Sequence, residues 1–166
     1  ESLHTPGHAL HHQAFADIDA NAVFAGDTFG VSYRAFNRDD RVFIVPTTTP
    51  TQFDPEQLKA SIARLAALRP QSVYLTHFGR VTGADVLAAS LCRQIDAFVA
   101  LARRYADASD RSARIAAELL ALWQRLLAEQ NLRSDADLVA DVLGFDAKLN
   151  ADGLVAWLER TTAQRQ

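Results

Sequence analysis

The chain contains no methionine, one cysteine and five histidines in 166 residues. A lone cysteine, Cys92, excludes an internal disulfide. It falls in a stretch of helical periodicity, where a thiol reads as a small buried hydrophobe. No apolar run reaches the roughly 18 residues of a membrane span, and no signal-peptide pattern is visible. No membrane partner is expected, and a cytoplasmic location is the default. The formal net charge is only −3 and no block of like charges stands out. Nothing electrostatic therefore argues for nucleic acid as a partner. Repeats of fixed period and low-complexity tracts are absent too. What is present is a globular composition, 49% apolar. Its length suits one domain, or a half-domain with an appendage.

Two textures divide the chain. Residues 1–82 alternate short strands, turns and one helix. Segments 13–17 and 23–25 read as strands joined through Asp19, Ala20 and Asn21, with turn-favouring residues at both ends of that trio. Segment 42–45 reads as a further strand closed by Pro46. Asp54 and Pro55 mark a helix start, with Leu58, Ile62, Leu65 and Leu68 on one face and Arg69-Pro70 at its end. A buried strand follows at 73–75. Strand, helix, strand in this order points to an α/β unit. Residues 83–166 read as all-helical. Leu87, Leu91, Ile95, Phe98 and Ala102 form one apolar stripe, and Ile115, Leu119, Leu122, Trp123 and Leu126 another, capped by Asp110. Ser134 with Asp137 looks like a capping pair. Gly144 reads as a helix stop, and a last short helix carries Leu154, Trp157 and Leu158.

Three segments carry candidate chemistry: TPGHALHH at 5–12, FAGDTFG at 24–30 and YLTHFG at 74–79. Each places a metal-ligand type, His8, Asp27 or His77, just after an apolar, strand-like stretch. Neutral imidazole and carboxylate are the ligands that zinc, iron and manganese take from proteins. A carboxylate such as Asp27 suits bridging two ions about 3.5–4 Å apart. Pro6-Gly7 before His8 makes a tight turn that lets the backbone approach closely. Around these three stand supporting candidates. His12, four residues after His8, and His4 read as groups behind the ligands or facing substrate, and Thr28 as a hydroxyl steadying Asp27. Arg34, beside Tyr33, has the fork geometry that holds a carboxylate. Thr48 belongs to the hydroxyl run Thr47-Thr48-Thr49 between Pro46 and Pro50, which suits a pocket wall or a solvated loop.

At these residues the sequence resembles the metallo-β-lactamase superfamily of metal hydrolases. His8 in TPGH matches its third motif, Asp27 in AGDT its fourth and His77 in LTHFG its fifth. The family's HxHxDH loop has no counterpart among the histidines at 4, 8, 11, 12 and 77. The resemblance implies an α/β fold: the C-terminal half of an αββα sandwich (1–82) followed by an all-helical extension (83–166). It also implies the ligand roles: one ion on His8, one on His77, and Asp27 bridging both as the catalytic carboxylate. The implied cofactor is a pair of zinc ions, with iron or manganese as alternatives. The implied reaction is hydrolysis of an ester, thioester or lactone carbonyl of a small-molecule substrate by a metal-bound hydroxide, active only when the upstream half is present. The alternative is an inactive fragment or an oligomerisation module, the helical region pairing copies of the chain.

Overall fold

The computed structural model describes residues 1–39, 41–48 and 52–163. Five strands form one sheet in sequence order: β1 (Ser2–His4), β2 (Gln13–Asp17), β3 (Ala22–Gly26), β4 (Ser72–Leu75) and β5 (Arg80–Val81). The β2–β3 turn forms as its residues dictate. The Asp17 carboxylate accepts the Ala20 N–H at 3.0 Å, and Asn21 takes the left-handed conformation at φ 47, which asparagine tolerates. β1 is antiparallel to β2 and β2 to β3, whereas β3 and β4 are parallel. Hence β1, β3 and β4 point the same way, and the residues that follow them gather at one edge of the sheet.

Side chains alternate across the strands. Ala14, Ala16, Val23, Ala25, Val73 and Leu75 face inward and share one buried cluster with the helices. Phe15, Phe24 and Tyr74 face outward and are 54%, 48% and 37% exposed. They lie in register, Phe15 opposite Phe24 and Phe24 opposite Tyr74. The Phe24 and Tyr74 rings stack at 4.9 Å and 14°. The sheet thus carries a row of aromatic rings on the face away from the helices. Tyr74 makes β4 half-buried rather than fully buried.

Helix α1 (Pro55–Ala67) crosses from β3 to β4 and begins as expected, with the Asp54 carboxylate accepting the Gln57 N–H at 2.9 Å. Leu58, Ile62 and Leu65 are buried, but Leu68 lies at the C-cap and is exposed. No strand forms at 42–45. Val45 makes an isolated bridge with Val31, Arg38 another with Arg41. The reason is competition from side chains: Asn37 Oδ1 accepts the Phe43 N–H, and Gln94 Nε2 donates to the Ile44 carbonyl. With these backbone groups satisfied, no neighbouring strand is needed.

α2 (Ala84–Arg104), α3 (Arg111–Glu129) and α4 (Ala136–Ala163) follow. α2 packs on α1 and α4, and α3 packs along α4. Leu91, Ile95, Phe98, Leu119 and Trp123 are fully buried, whereas Leu126 is half-buried and Leu127 takes its core place. Asp110 occupies the α3 N-cap, yet its carboxylate bonds Arg114 instead of the helix backbone. α4 starts at Ala136, one residue later than a Ser134 cap requires. It also runs unbroken through Gly144. A mid-helix glycine costs about 1 kcal/mol against alanine, less than the burial of Leu143, Ala147, Ala151 and Leu154 on either side recovers. Residues 164–166 of the expected helical region, and Thr49 and Pro50 of the hydroxyl run, lie outside the described residues. Among the described residues no helix is long and apolar enough to cross a membrane.

Candidate metal centre

The loop after β1 is pressed onto α1. Gly7 has φ 123, and a Cβ there would overlap the Leu58 backbone. The Gly7 carbonyl accepts the Asp54 N–H at 2.9 Å, and Ser61 Oγ donates to the Pro6 carbonyl at 2.6 Å. This is why the turn needs Pro-Gly before His8. At the end of β3 the chain tightens into a 3-10 turn, Asp27–Phe29. Its lead residue, Gly26, has φ 56, and a Cβ there would run into the His12 ring. His77 leaves the neighbouring parallel strand, β4.

These geometries bring the three expected residues together. His8 Nε2 lies 3.6 Å from Asp27 Oδ2, and His77 Nε2 lies 3.8 Å from Asp27 Oδ1. Each carboxylate oxygen therefore faces its own imidazole. Both separations are too long for a hydrogen bond. Two donors on one tetrahedral zinc, each about 2.0–2.2 Å from it, stand roughly 3.4 Å apart. The spacing on either side of Asp27 is that of two donors about one metal ion. No group of three His, Cys, Asp or Glu converges on a single point among the described residues. Each side of Asp27 has two donors, where a catalytic zinc takes three.

The network behind His8 assigns its tautomer. Thr47 Oγ1 donates to the Asp27 carbonyl at 3.0 Å and stands 3.1 Å from His8 Nδ1. The hydroxyl proton is committed to Asp27, so Nδ1–H donates to Thr47. Such a hydrogen bond from the far ring nitrogen is the usual support of a metal-bound histidine.

His12 is committed on both nitrogens. Nε2 accepts the Asp27 backbone N–H at 3.0 Å, and Nδ1 meets Thr5 Oγ1 at 2.7 Å and Thr28 Oγ1 at 3.0 Å. Burial first, and the nearby His8 second, hold its pKa below 6.5 against the opposing pull of Asp27. It stands as a neutral strut under Asp27. Thr28 is buried and donates to the Thr5 carbonyl at 3.1 Å, so it steadies His12 and reaches Asp27 only at one remove. His4 bonds the Leu10 carbonyl at 2.8 Å and closes its own loop. Thr48 is buried against α4, its N–H donating to Asn150 Oδ1. Arg34 is exposed at the rim, with its guanidinium 3.9 Å from the point where a Gly79 Cβ would lie. Tyr33 turns inward: its hydroxyl donates to Asp146 Oδ2 at 2.7 Å, and its ring packs 4.4 Å from Phe78. Burial, then the bond to Asp146, push the Tyr33 hydroxyl well above its ordinary value.

Sequence reasoning placed Thr47 only in a hydroxyl run suited to a pocket wall or a solvated loop, and it missed Asp146 and Asn150. The one signal for Asp146 and Asn150 was their spacing, which puts them on the helical face of Leu143, Ala147, Ala151 and Leu154 without saying which segments they meet. A cavity of about 470 Å³ opens elsewhere, beside Val42, Leu87, Arg93 and Leu126, and borders none of the Asp27 cluster.

The architecture is that of part of a metallo-β-lactamase fold. The chain is similar to a metallo-β-lactamase family protein from Thermus thermophilus at 20% identity and a TM-score of 0.52, over 98% of this chain and 44% of that one. It is also similar to an archaeal metallo-β-lactamase superfamily protein from Sulfolobus tokodaii, at 28% identity and a TM-score of 0.44, over 55% of this chain and 32% of that one. The chain spans less than half the length of either. No family model and no curated protein matches it.

Proposed function

We propose that this chain supplies one side of a two-metal hydrolase centre, with His8 on one ion, His77 on the other and Asp27 bridging. The observation that carries the reading is the flanking of the two Asp27 oxygens by separate imidazoles, at 3.6 and 3.8 Å. Bound divalent ions, zinc being the first choice, supply a water acidified to a pKa of about 7 and polarise a carbonyl oxygen. The chain's own residues do the rest. Thr47 holds His8 with Nε2 toward the centre, and His12 holds the backbone of Asp27. Arg34 stands at the rim, where an anionic part of an ester, thioester or lactone would pass. The remaining donors come from a second part of the fold. The exposed row Phe15, Phe24 and Tyr74 supports this, because contiguous aromatic surface of this kind ordinarily marks an interface. So does the 44% coverage of the Thermus protein.

Zinc content and turnover test the reading. The 166-residue chain alone should bind zinc weakly and hydrolyse thioesters or lactones poorly. Combined with the remainder of the fold it should do both, and Asp27→Ala should abolish both. Tight stoichiometric zinc with full turnover in the chain alone would sink the shared centre. An Asp27→Ala variant of unchanged zinc content in the combined protein would sink the ligand assignment.

A further inference from the structure

Helix α4 carries two polar side chains where its neighbours are core. Asp146 is 8% exposed and Asn150 2%, between the buried Leu143, Ala147, Ala151 and Leu154. Burying such groups is unfavourable unless they are bonded. Their side-chain acceptors serve groups in two separate loops. Asp146 Oδ2 accepts from Tyr33 Oη at 2.7 Å. Asn150 Oδ1 accepts the Thr48 N–H at 2.8 Å, and the Asn150 carbonyl accepts from Thr48 Oγ1 at 3.0 Å. Asn150 Nδ2 ties the pair together by donating to the Asp146 carbonyl at 2.9 Å. Gly153 completes the seat, since a Cβ there would come within 2.5 Å of Thr48 Oγ1.

Both loops lead to an imidazole. Thr48 follows Thr47, the partner of His8 Nδ1. Tyr33 packs on Phe78, the residue after His77. Phe78 has φ 71, a conformation that a bulky residue holds only when its surroundings impose it. The Tyr33 ring, pinned by Asp146, is such a restraint.

We propose that Asp146 and Asn150 are positioning residues for the two imidazoles: Asp146 sets His77 through Tyr33 and Phe78, and Asn150 sets His8 through Thr48 and Thr47. The helical region is then part of the centre's framework, and one face of one helix fixes the spacing of two side chains 69 positions apart in sequence. The inference rests on the proposed metal centre for its purpose but not for its test.

The test reads each histidine ring separately, by long-range proton–nitrogen correlation NMR of the metal-free 166-residue chain. Tyr33→Phe should shift or broaden the His77 ring signals and leave those of His8 in place. Asn150→Ala should do the reverse. Thr48→Val, which removes the hydroxyl bond to the Asn150 carbonyl, makes the same test if Asn150→Ala does not fold. Asp146→Asn keeps an oxygen for Tyr33 Oη but removes a charge that interacts with His77 directly, so the route to the His77 ring is read from Tyr33→Phe. Variants that disturb both rings alike, neither ring or the wrong ring would overturn the positioning role, since mere loosening of α4 disturbs both together. Competition with a chromophoric chelator then measures zinc. Loss of a positioning partner should weaken binding about 10–100-fold. Ring shifts as stated, with no zinc taken up even by the parent combined with the rest of the fold, would overturn the metal reading alone.

Discussion

Nε2 of His12 accepts the backbone N–H of Asp27 at 3.0 Å, and this bond joins the loop before β2 to the turn after β3. The ring is wedged against Gly26, whose missing side chain makes room for it. His12 is thus tied to the main chain of the central carboxylate, with neither nitrogen left for a metal.

That geometry sets a pH dependence. The His12 pKa in the fold lies below its ordinary 6.5. The folded chain therefore binds this proton less readily than the unfolded chain does. The contribution to stability is complete above 6.5 and is lost as the pH falls through the folded value. His12→Gln, which takes up no proton, should flatten this part of the acid limb. Removing the acceptor altogether, as in His12→Phe, should destabilise at neutral pH by about 1–3 kcal/mol. Denaturant midpoints across the range check both, and an unchanged acid limb in the Gln variant would count against a neutral His12.

Two glycines of α4 should respond in opposite directions. Gly144 meets nothing within 4 Å where a Cβ would stand. Gly144→Ala should stabilise by about 0.5–1 kcal/mol through helix propensity alone. Gly153→Ala should destabilise despite the same propensity gain, because its Cβ would lie 2.5 Å from Thr48 Oγ1. Thermal unfolding of the two variants side by side decides it, and a stabilised Gly153→Ala would mean that α4 does not seat on Thr48.

Asp146 should tolerate loss of charge better than loss of shape. Burial, the larger influence, raises its pKa above 3.8 against the hydrogen bond from Tyr33. A carboxyl whose folded pKa is raised weighs against folding when ionised, and the penalty fades as pH falls through the folded value. Asp146→Asn should therefore be neutral or stabilising at pH 7. Asp146→Ala strands the Tyr33 hydroxyl and should cost about 1–3 kcal/mol. A larger loss for Asn than for Ala would contradict the pairing.

The outer face of the sheet makes a prediction about solubility. Phe24→Ser with Tyr74→Ser removes a stacked pair worth about 0.5–1.5 kcal/mol, so the chain should lose little stability. Its binding of a hydrophobic dye and its light scattering should both fall. The same changes should weaken association with the rest of the fold. Unaltered dye binding would show that this row of rings is not the sticky surface.

Much of this was legible in the residues, for reasons that are local. Gly26 before Asp27 and Pro6-Gly7 before His8 announce tight turns. Apolar segments at 13–17 and 23–25 with Asp19 and Asn21 between them announce two strands joined by a turn, and Asp54-Pro55 announces a helix start. Three donor residues after three strand-like segments therefore stood out without coordinates. That they meet required the strand directions: only because β1, β3 and β4 run the same way do His8, Asp27 and His77 share an edge. Local signals also misled where packing outweighed them. Gly144 reads as a stop until the core on both sides is known. Segment 42–45 reads as a strand until Asn37 and Gln94 take its backbone bonds. The reach of α4 to Thr48 and Tyr33 had no local signature, since Asn150 lies 102 residues from Thr48 and Asp146 lies 113 from Tyr33. Turn and strand chemistry is written in neighbouring residues, whereas the partner of a buried polar group is chosen by whichever segment the folded chain brings to it.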